Sequence, residues 1–379
     1  MARIELKALS HSYVRRPHAP TDYALQPLEL EWKDGGAYAL LGPSGCGKTT
    51  LLNIISGLVR PSKGRVLFDG RDVTDLSPQQ RNIAQVFQFP VVYDTMTVAE
   101  NLAFPLRNRG VAADAIRERV GKIAEMLELS GELDRRANGL TADAKQKISL
   151  GRGLVREDVA AVLFDEPLTV IDPHLKWQLR RKLKQIHHDL KLTLVYVTHD
   201  QVEALTFADQ VMVMSDGKVV QAGTPEQLFE EPSHVFVGHF IGSPGMNFLP
   251  VSIADGRPLI AGQPLSGAAV EQVARWLSAQ QATAPSARLM LGIRPEYILI
   301  APSGQAGAVD AVIERVQDLG TSILITAKVG DISVKVRLPV ETDSQTALAT
   351  AGAGASGRPL SLSVINSHSR FYRNQDLIT

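Results

Sequence analysis

Ala37-Tyr-Ala-Leu-Leu41-Gly42-Pro43-Ser44-Gly45-Cys46-Gly47-Lys48-Thr49-Thr50-Leu-Leu-Asn-Ile-Ile-Ser-Gly-Leu58 decides how the rest of the chain is read. An apolar run of strand length, Ala37–Leu41, enters a glycine-rich loop, and an apolar segment of helical character, Thr49–Leu58, leaves it. A strand that passes into a helix through such a loop is the opening of a parallel βα unit. The loop itself fits the spacing G-x-x-x-x-G-K-[ST]. Successive backbone N–H groups and the helix N-terminus form a nest for an anion. In a phosphate-binding loop of this kind Lys48 reaches the β- and γ-phosphates and the Thr49 hydroxyl ligates Mg²⁺. Residues Gly42, Pro43, Ser44, Gly45, Cys46, Gly47, Lys48, Thr49 and Thr50 are therefore the expected nucleotide cradle, with Cys46 a small filler at a free position.

Further strands follow outward from this one. Ala84–Phe87, Ala160–Phe164, Leu192–Val197 and Gln210–Met214 have strand length and composition. Between them Ile116, Val120, Ile123 and Leu127, and then Leu175, Leu179, Leu183, Ile186 and Leu190, recur at helical spacing. The alternation predicts an α/β fold with a mostly parallel sheet and helices on its faces. Residues 91–150 lack strand signals and read as an inserted helical subdomain.

Several strands end in groups that suit phosphate chemistry. Ala160-Ala-Val-Leu-Phe-Asp165-Glu166 ends in two carboxylates. Asp165 can hold a water ligand of Mg²⁺, and Glu166 can polarise an attacking water as general base. Val197-Thr-His199-Asp places an imidazole where it can meet a γ-phosphate. Gln88, at the end of Val86-Phe-Gln88, carries an amide within reach of Mg²⁺ or the water. In a parallel sheet all of these converge on one edge.

Phosphate loop, Gln88, Asp165-Glu166 and His199, in this order, resemble an ATP-binding-cassette ATPase over essentially all of 1–240. The resemblance implies a P-loop, RecA-like core, ATP and Mg²⁺ as cofactors, and nucleotides held between two ATPase subunits. It implies Lys48, Glu166 and His199 as catalytic groups, and Thr49, Gln88 and Asp165 around the metal. Tyr13 resembles the aromatic that stacks on adenine. Tyr23 is the weaker match, because Val14–Asp22 looks like an insertion. Asp172 matches the loop that contacts the opposite subunit.

The period changes after residue 250. Of the 80 charged residues, 21 fall in 251–379, about 16% of that stretch against about 24% before it. Ile332, Val334, Val336 and Leu338 alternate with polar residues, and Ala301–Ala308 and Ala349–Gly357 are loose Ala/Gly/Ser stretches. A small β domain over 241–379, a barrel or a sandwich, is expected after turn signals at 231–245. Phe240-Ile-Gly-Ser-Pro-Gly-Met-Asn-Phe248, Leu291-Gly-Ile-Arg-Pro-Glu296 and Val316–Leu324 resemble the oligosaccharide-binding-like domain of maltose- and glycerol-phosphate-type importer ATPases. That resemblance implies uptake of a sugar, a polyol, glycerol or a glycerol phosphate. It further implies two integral membrane permease subunits, docked around Phe89–Thr97, an external solute-binding protein acting indirectly, and a peripheral position on the cytoplasmic face of the inner membrane. A soluble cassette ATPase or a regulatory binding module is the alternative.

One motif departs from the family. Where members carry Leu-Ser-Gly-Gly-Gln, this chain has Leu140-Thr141-Ala142-Asp143-Ala144. The usual loop offers a hydroxyl and glycine N–H groups to the γ-phosphate held by the opposite subunit. Thr141 keeps the hydroxyl, whereas Asp143 brings a carboxylate, or else caps its helix. Two such loops would repel two phosphates, so a heterodimer with a related ATPase is expected in preference to a homodimer.

Composition excludes other classes. Lys plus Arg and Asp plus Glu are 40 each, so the basic excess of a nucleic-acid binder is missing. The segment Lys176–Lys191 is basic, yet reads as the solvated face of an amphipathic helix. The single Cys46 excludes an intrachain disulfide and fits a reducing compartment. No run is long and apolar enough to span a bilayer.

Overall fold

The structure is a computed structural model that describes residues 2–254, 257–265, 270, 288–305, 307–339 and 356–378. The Ala349–Gly357 stretch lies for the most part outside the described residues. Two compact units divide the chain, Met1–Pro225 and Glu226–Thr379.

The first unit contains ten strands: β1 (Ile4–His11), β2 (Leu25–Trp32), β3 (Ala37–Leu41), β4 (Lys63–Phe68), β5 (Arg71–Asp72), β6 (Ile83–Val86), β7 (Ala161–Asp165), β8 (Leu194–Thr198), β9 (Gln210–Ser215) and β10 (Lys218–Gly223). Its helices are α1 (Lys48–Ser56), α2 (Pro78–Arg81), α3 (Val98–Arg107), α4 (Ala113–Met126), α5 (Ala142–Leu154), α6 (Pro173–Leu190) and α7 (Gln201–Phe207). The central sheet has the order β10-β9-β3-β8-β7-β6. All neighbours run parallel except the β9–β10 hairpin. Every residue of β3 and β8 is buried, as strands covered on both faces require.

A second, antiparallel sheet of order β2-β1-β4-β5 lies in the same unit. The sequence reading did not foresee it. Register shifts between Leu6 and Leu9 break the alternation of β1, so its period of two is hard to see. Ile4, Leu6, Leu9, Leu25, Trp32, Val66 and Phe68 from this sheet share one core with Leu40 and with Leu51, Leu52, Ile54 and Ile55 of α1.

The helical stretch expected at 91–150 consists of α3, α4 and α5. Thr97 opens α3 with a capping box, its hydroxyl accepting from the Glu100 N–H while the Glu100 carboxylate accepts from the Thr97 N–H. The helices approach closely at Gly151, where an added Cβ would stand 2.4 Å from Leu102 Cδ2. No helix among the described residues is long and apolar enough to cross a membrane.

The second unit begins with residues that the sequence reading placed in the first. The division falls at 225/226 and not at 240/241, because 226–240 is bonded to residues of the C-terminal strands. Tyr372 donates to the Pro232 carbonyl at 2.8 Å, and the Val235 N–H to Gln375 O at 2.8 Å. Buried Arg294 donates at 2.6 Å each to the carbonyls of Phe229 and Ile241, and its guanidinium stacks 3.7 Å from the Phe229 ring centre.

Among the described residues here, α8 (Pro225–Glu230) and α9 (Val235–Phe240) precede the strands β11 (Asn247–Ala254), β12 (Arg257–Ile260), β13 (Gln263–Pro264), β14 (Leu289–Ile293), β15 (Leu299–Ala301), β16 (Val309–Asp318), β17 (Ser322–Val329), β18 (Ile332–Pro339), β19 (Pro359–Ser363), β20 (Arg370–Arg373) and β21 (Asp376–Leu377). They make sheets of order β13-β12-β11-β14-β20-β21 and β15-β19-β16-β17-β18. Ile323, Ile325, Ala327 and Val329 of β17 alternate inward with Val334, Val336 and Leu338 of β18. They meet Leu249, Leu291 and Ile293 from the other sheet in one core.

Candidate active site

The order of the central sheet sets the site. Strands β3, β8, β7 and β6 are consecutive neighbours and parallel, so their C-terminal ends lie along one edge. That edge presents, in turn, the phosphate loop after Leu41, His199 after Thr198, Glu166 after Asp165, and Gln88 just beyond Val86.

The loop between β3 and α1 turns tightly into the helix through its glycines. Gly47 takes φ 101° as the residue before α1, and a Cβ there would lie 2.4 Å from Ala24 O. Only glycine suits both the left-handed backbone and that approach. Lys48 is buried to 5% exposure, and its Nζ donates to the carbonyls of Gly42 at 2.9 Å and Pro43 at 3.0 Å. Cys46 is also buried, and burial pushes its thiol up. It fills space against the loop and offers no reactive thiolate.

Thr49 Oγ1 stands 3.3 Å from Asp165 Oδ1 and donates to it. Burial raises the Asp165 carboxyl above the usual carboxylate range; the Thr49 hydroxyl opposes this, and the neighbouring Glu166 charge adds to it. A hydroxyl and a carboxylate side by side are hard oxygen donors of the kind that suits Mg²⁺.

Glu166 sits at φ 46°, in the left-handed region that a side chain occupies only under constraint. The constraint is visible: its N–H donates to Val197 O at 3.0 Å, continuing the β7–β8 ladder one residue past the strand. The turn aims its carboxylate along the sheet edge. There Oε2 lies 3.1 Å from His199 Nδ1 and accepts from Thr169 Oγ1 at 3.3 Å. His199 is half-exposed, while the Glu166 side chain is mostly covered. Acid, hydroxyl and imidazole thus form one cluster beside the loop. Thr169 had no motif to announce it.

Tyr13 follows β1 and is 67% exposed; its hydroxyl lies 3.4 Å from Thr50 Oγ1 in the first turn of α1. Its ring packs edge-on against buried His11 at 4.5 Å. A ring face is therefore free for stacking next to the phosphate loop. Tyr23 is half-buried within the base of the 14–22 insertion, whose loop is closed by the Asp22 carboxylate accepting from the His18 and Ala19 N–H groups. Gln88 is half-buried, and Asp172 is exposed immediately ahead of α6.

At the departed motif, Thr141 caps α5, its hydroxyl accepting from the Ala144 N–H at 3.3 Å. Asp143 is not the cap. Its Oδ2 turns to Lys147 Nζ, one helical turn on, at 3.7 Å. Its Oδ1 is buried without a hydrogen-bond partner. Lys147 was not singled out in the sequence, although an acid four residues before a lysine is its signal.

Comparison with known proteins agrees with this geometry. A family model described as ABC transporter matches residues 25–169, one described as MalK OB fold domain matches 242–298, and one described as TOBE domain matches 291–356. The sn-glycerol-3-phosphate import ATP-binding protein UgpC of Escherichia coli O1:K1 is 39% identical over 346 residues, covering 89% of this chain and 91% of its own. UgpC of Pectobacterium atrosepticum is 39% identical over 342 residues, covering 90% and 92%. Among solved structures, CbiO1 of Clostridium perfringens, part of an ABC transporter complex, superposes with TM-score 0.55 at 27% identity over 60% of this chain and 90% of that one. A dimeric ATP-binding cassette in a post-hydrolysis state, bound to ADP and phosphate, gives TM-score 0.52 at 27% identity over 59% and 98%. With phosphate loop, paired carboxylates and imidazole on one sheet edge, and with relatives of nearly equal length, the chain belongs to the ATP-binding-cassette family as an import-type ATPase.

Proposed function

We propose that this ATPase drives uptake of sn-glycerol 3-phosphate or a small solute of similar chemistry: glycerol, another polyol or a sugar. It would do so with two integral membrane permease subunits and an external solute-binding protein, from the cytoplasmic face of the inner membrane. The observation that carries the catalytic reading is Glu166 Oε2 at 3.1 Å from His199 Nδ1, one strand away from the phosphate loop.

In this reading the Gly42–Thr50 backbone cradles the β-phosphate, and Lys48 leaves the carbonyls of Gly42 and Pro43 for the β- and γ-phosphates. The exposed face of Tyr13 stacks on the base. Thr49 and Asp165, with Gln88 alongside, fit a Mg²⁺ ion; when bound it neutralises charge developing on the phosphate oxygens. Glu166 takes the proton of the attacking water, and His199 holds the Glu166 carboxylate in place and faces the γ-phosphate. No nucleic acid enters the reading.

The pair we propose is a heterodimer. By its match to the family's signature loop, Asp143 would bring a carboxylate towards the opposite subunit's γ-phosphate, so a second, related ATPase with ordinary glycines would complete the site formed by this chain's Lys48 and Glu166. The test is purification of the full chain from solubilised membranes with mass spectrometry of its companions, followed by ATP-driven uptake of labelled sn-glycerol 3-phosphate, glycerol and maltose into proteoliposomes. Copurification of two permeases and a distinct ATPase, with uptake of one of these solutes, is expected. A soluble homodimer free of membrane proteins would overturn the proposal.

A further inference from the structure

Glu203 is a buried acid that the site so far described does not use. It lies in α7, and only 3% of it is exposed. Its Oε2 accepts two hydroxyl protons, from Thr198 Oγ1 at 2.8 Å and from Tyr196 OH at 3.0 Å. Its Oε1 faces Lys176 Nζ at 3.7 Å, in the first turn of α6. Thr198 Oγ1 in turn accepts from the Asp200 N–H at 3.0 Å. Asp200 then caps α7, its Oδ1 accepting from the Val202 and Glu203 N–H groups at 2.8 and 3.3 Å. On one side of His199, Thr198 is therefore fastened to the Glu203 carboxylate, and on the other Asp200 is fastened to the Thr198 hydroxyl and to the Glu203 N–H.

We infer that Glu203, with Lys176 as its counter-charge, is a positioning residue that holds the imidazole of His199 against Glu166; the inference rests on the proposed catalytic roles of those two residues. Chemistry favours a carboxylate here. Two hydroxyl donors converge on Oε2, and an ionised carboxylate is a pure acceptor that satisfies both. A buried charge must have a partner, and Lys176 is the cation that approaches it. Packing alone would be met by an apolar side chain. The buried Tyr196 ring closes the pocket, packed against Phe164 at 5.9 Å and Phe207 at 5.0 Å between ring centres. With Thr198 and Asp200 held, the backbone of His199 has little freedom, and the 3.1 Å contact to Glu166 follows from its position.

The test uses the full chain assembled with its partner subunits and reads kcat and KM for ATP, with Glu166→Gln as the control for the catalytic reading itself. Loss of turnover in Glu166→Gln keeps that reading, whatever the other variants do. Lys176→Met removes the outer, partly exposed member without opening the core. It is expected to lower kcat by roughly 2- to 30-fold with KM unchanged, the range over which coupled networks act. Lys176→Arg should restore most of the loss. Glu203→Gln should lower kcat further, and adding Lys176→Met to it should cost less than about twofold more, since the charge that Lys176 meets is gone. In a His199→Ala background Lys176→Met should likewise add nothing. A fall in melting temperature with unchanged kcat per nucleotide-binding site, or losses that multiply with His199→Ala, would overturn the inference and leave Glu203 a scaffold residue only.

Discussion

Asp143→Gly and Lys147→Met should move nucleotide occlusion in opposite directions. A carboxylate about 4 Å from a γ-phosphate is repelled by roughly 4 kcal/mol per unit charge at an effective dielectric near 20. That figure treats Asp143 as isolated, and it is not. Lys147 Nζ stands 3.7 Å from its Oδ2, and both side chains are largely covered, at 19% and 24% exposure. An ammonium roughly 7 Å from the same phosphate returns about 2 kcal/mol of attraction at that dielectric. The net penalty is then about 2 kcal/mol, close to a 30-fold effect on the closed state. Removing the carboxylate relieves it, and removing the lysine exposes the full repulsion.

The structure also makes the experiment clean. Thr141, not Asp143, caps α5, so the helix start survives substitution at 143. A glycine in the first turn costs about 1 kcal/mol of helix propensity, small beside a folded domain. Trapping labelled nucleotide with vanadate in the assembled complex counts occluded sites. Asp143→Gly should raise occupancy of the site facing α5 by up to about 30-fold, and Lys147→Met should lower it by a comparable factor. Shifts below twofold for both variants, or shifts in the same direction, would show that Asp143 never meets the phosphate. Subunit-specific Glu166→Gln would then cost the same turnover in either ATPase of the pair.

Glu166→Gln should keep ATP binding and reduce hydrolysis by a factor on the order of 10² to 10⁴, measured as phosphate release; unchanged turnover would remove Glu166 as the base. Arg294→Met should destabilise the second unit by about 3 kcal/mol, read in a denaturant melt, because the carbonyls of Phe229 and Ile241 lose a charged donor. Tyr297, whose hydroxyl donates to Glu230, has its pKa raised to about 12, chiefly by burial. Its folded value lies above its unfolded one, so its contribution is complete below pH 10 and is lost as pH rises towards about 12. Tyr297→Phe should flatten that alkaline decline in stability.

How much the sequence disclosed depends on how local each signal is. The phosphate loop is contiguous, and its glycine, lysine and threonine positions each have a fixed geometric duty, so Gly42–Thr50 could be read residue by residue. Glu166 and His199 each follow the end of a largely apolar strand, which gave their place on the sheet edge but not their partnership. That partnership comes from the adjacency of β7 and β8, a tertiary fact. Glu203 was invisible because an acid in the middle of Gln201–Phe207 looks like any solvated helix residue; its burial depends on Tyr196 and Thr198 pointing towards it. Asp143 was legible as an anomaly, but its pairing with Lys147 was decided by side-chain direction along α5. The compact units divide at 225/226, ahead of the turn signals near 240, for a similar reason. Turn residues mark where a chain bends, whereas 226–240 belongs to the second unit through carbonyls that the distant Arg294 and Tyr372 reach.

The site is built by register rather than by any one motif. In the central sheet Leu41 pairs with Thr198, and Val197 with Asp165. These two pairings put the last residues of β3, β8 and β7 within one step of each other. The loop that starts at Gly42, the imidazole at 199 and the carboxylate at 166 then emerge together, each the next residue or so past a paired strand end. The Glu166 N–H bond to Val197 O fixes the last of these steps, at the cost of a left-handed backbone. A slip of one residue in β7 would turn Asp165 and Glu166 to opposite faces from those they now occupy. Thr49 would lose its carboxylate and His199 its partner at once. Every residue of β3 and β8 is buried and neither strand has a solvent-facing side, so side-chain packing alone specifies this register weakly. The polar bonds at the strand ends, Thr198 to Glu203 and Thr49 to Asp165, supply the discrimination that the buried strands lack. The groups positioned for the chemistry therefore also help hold the sheet in the one alignment in which they can act.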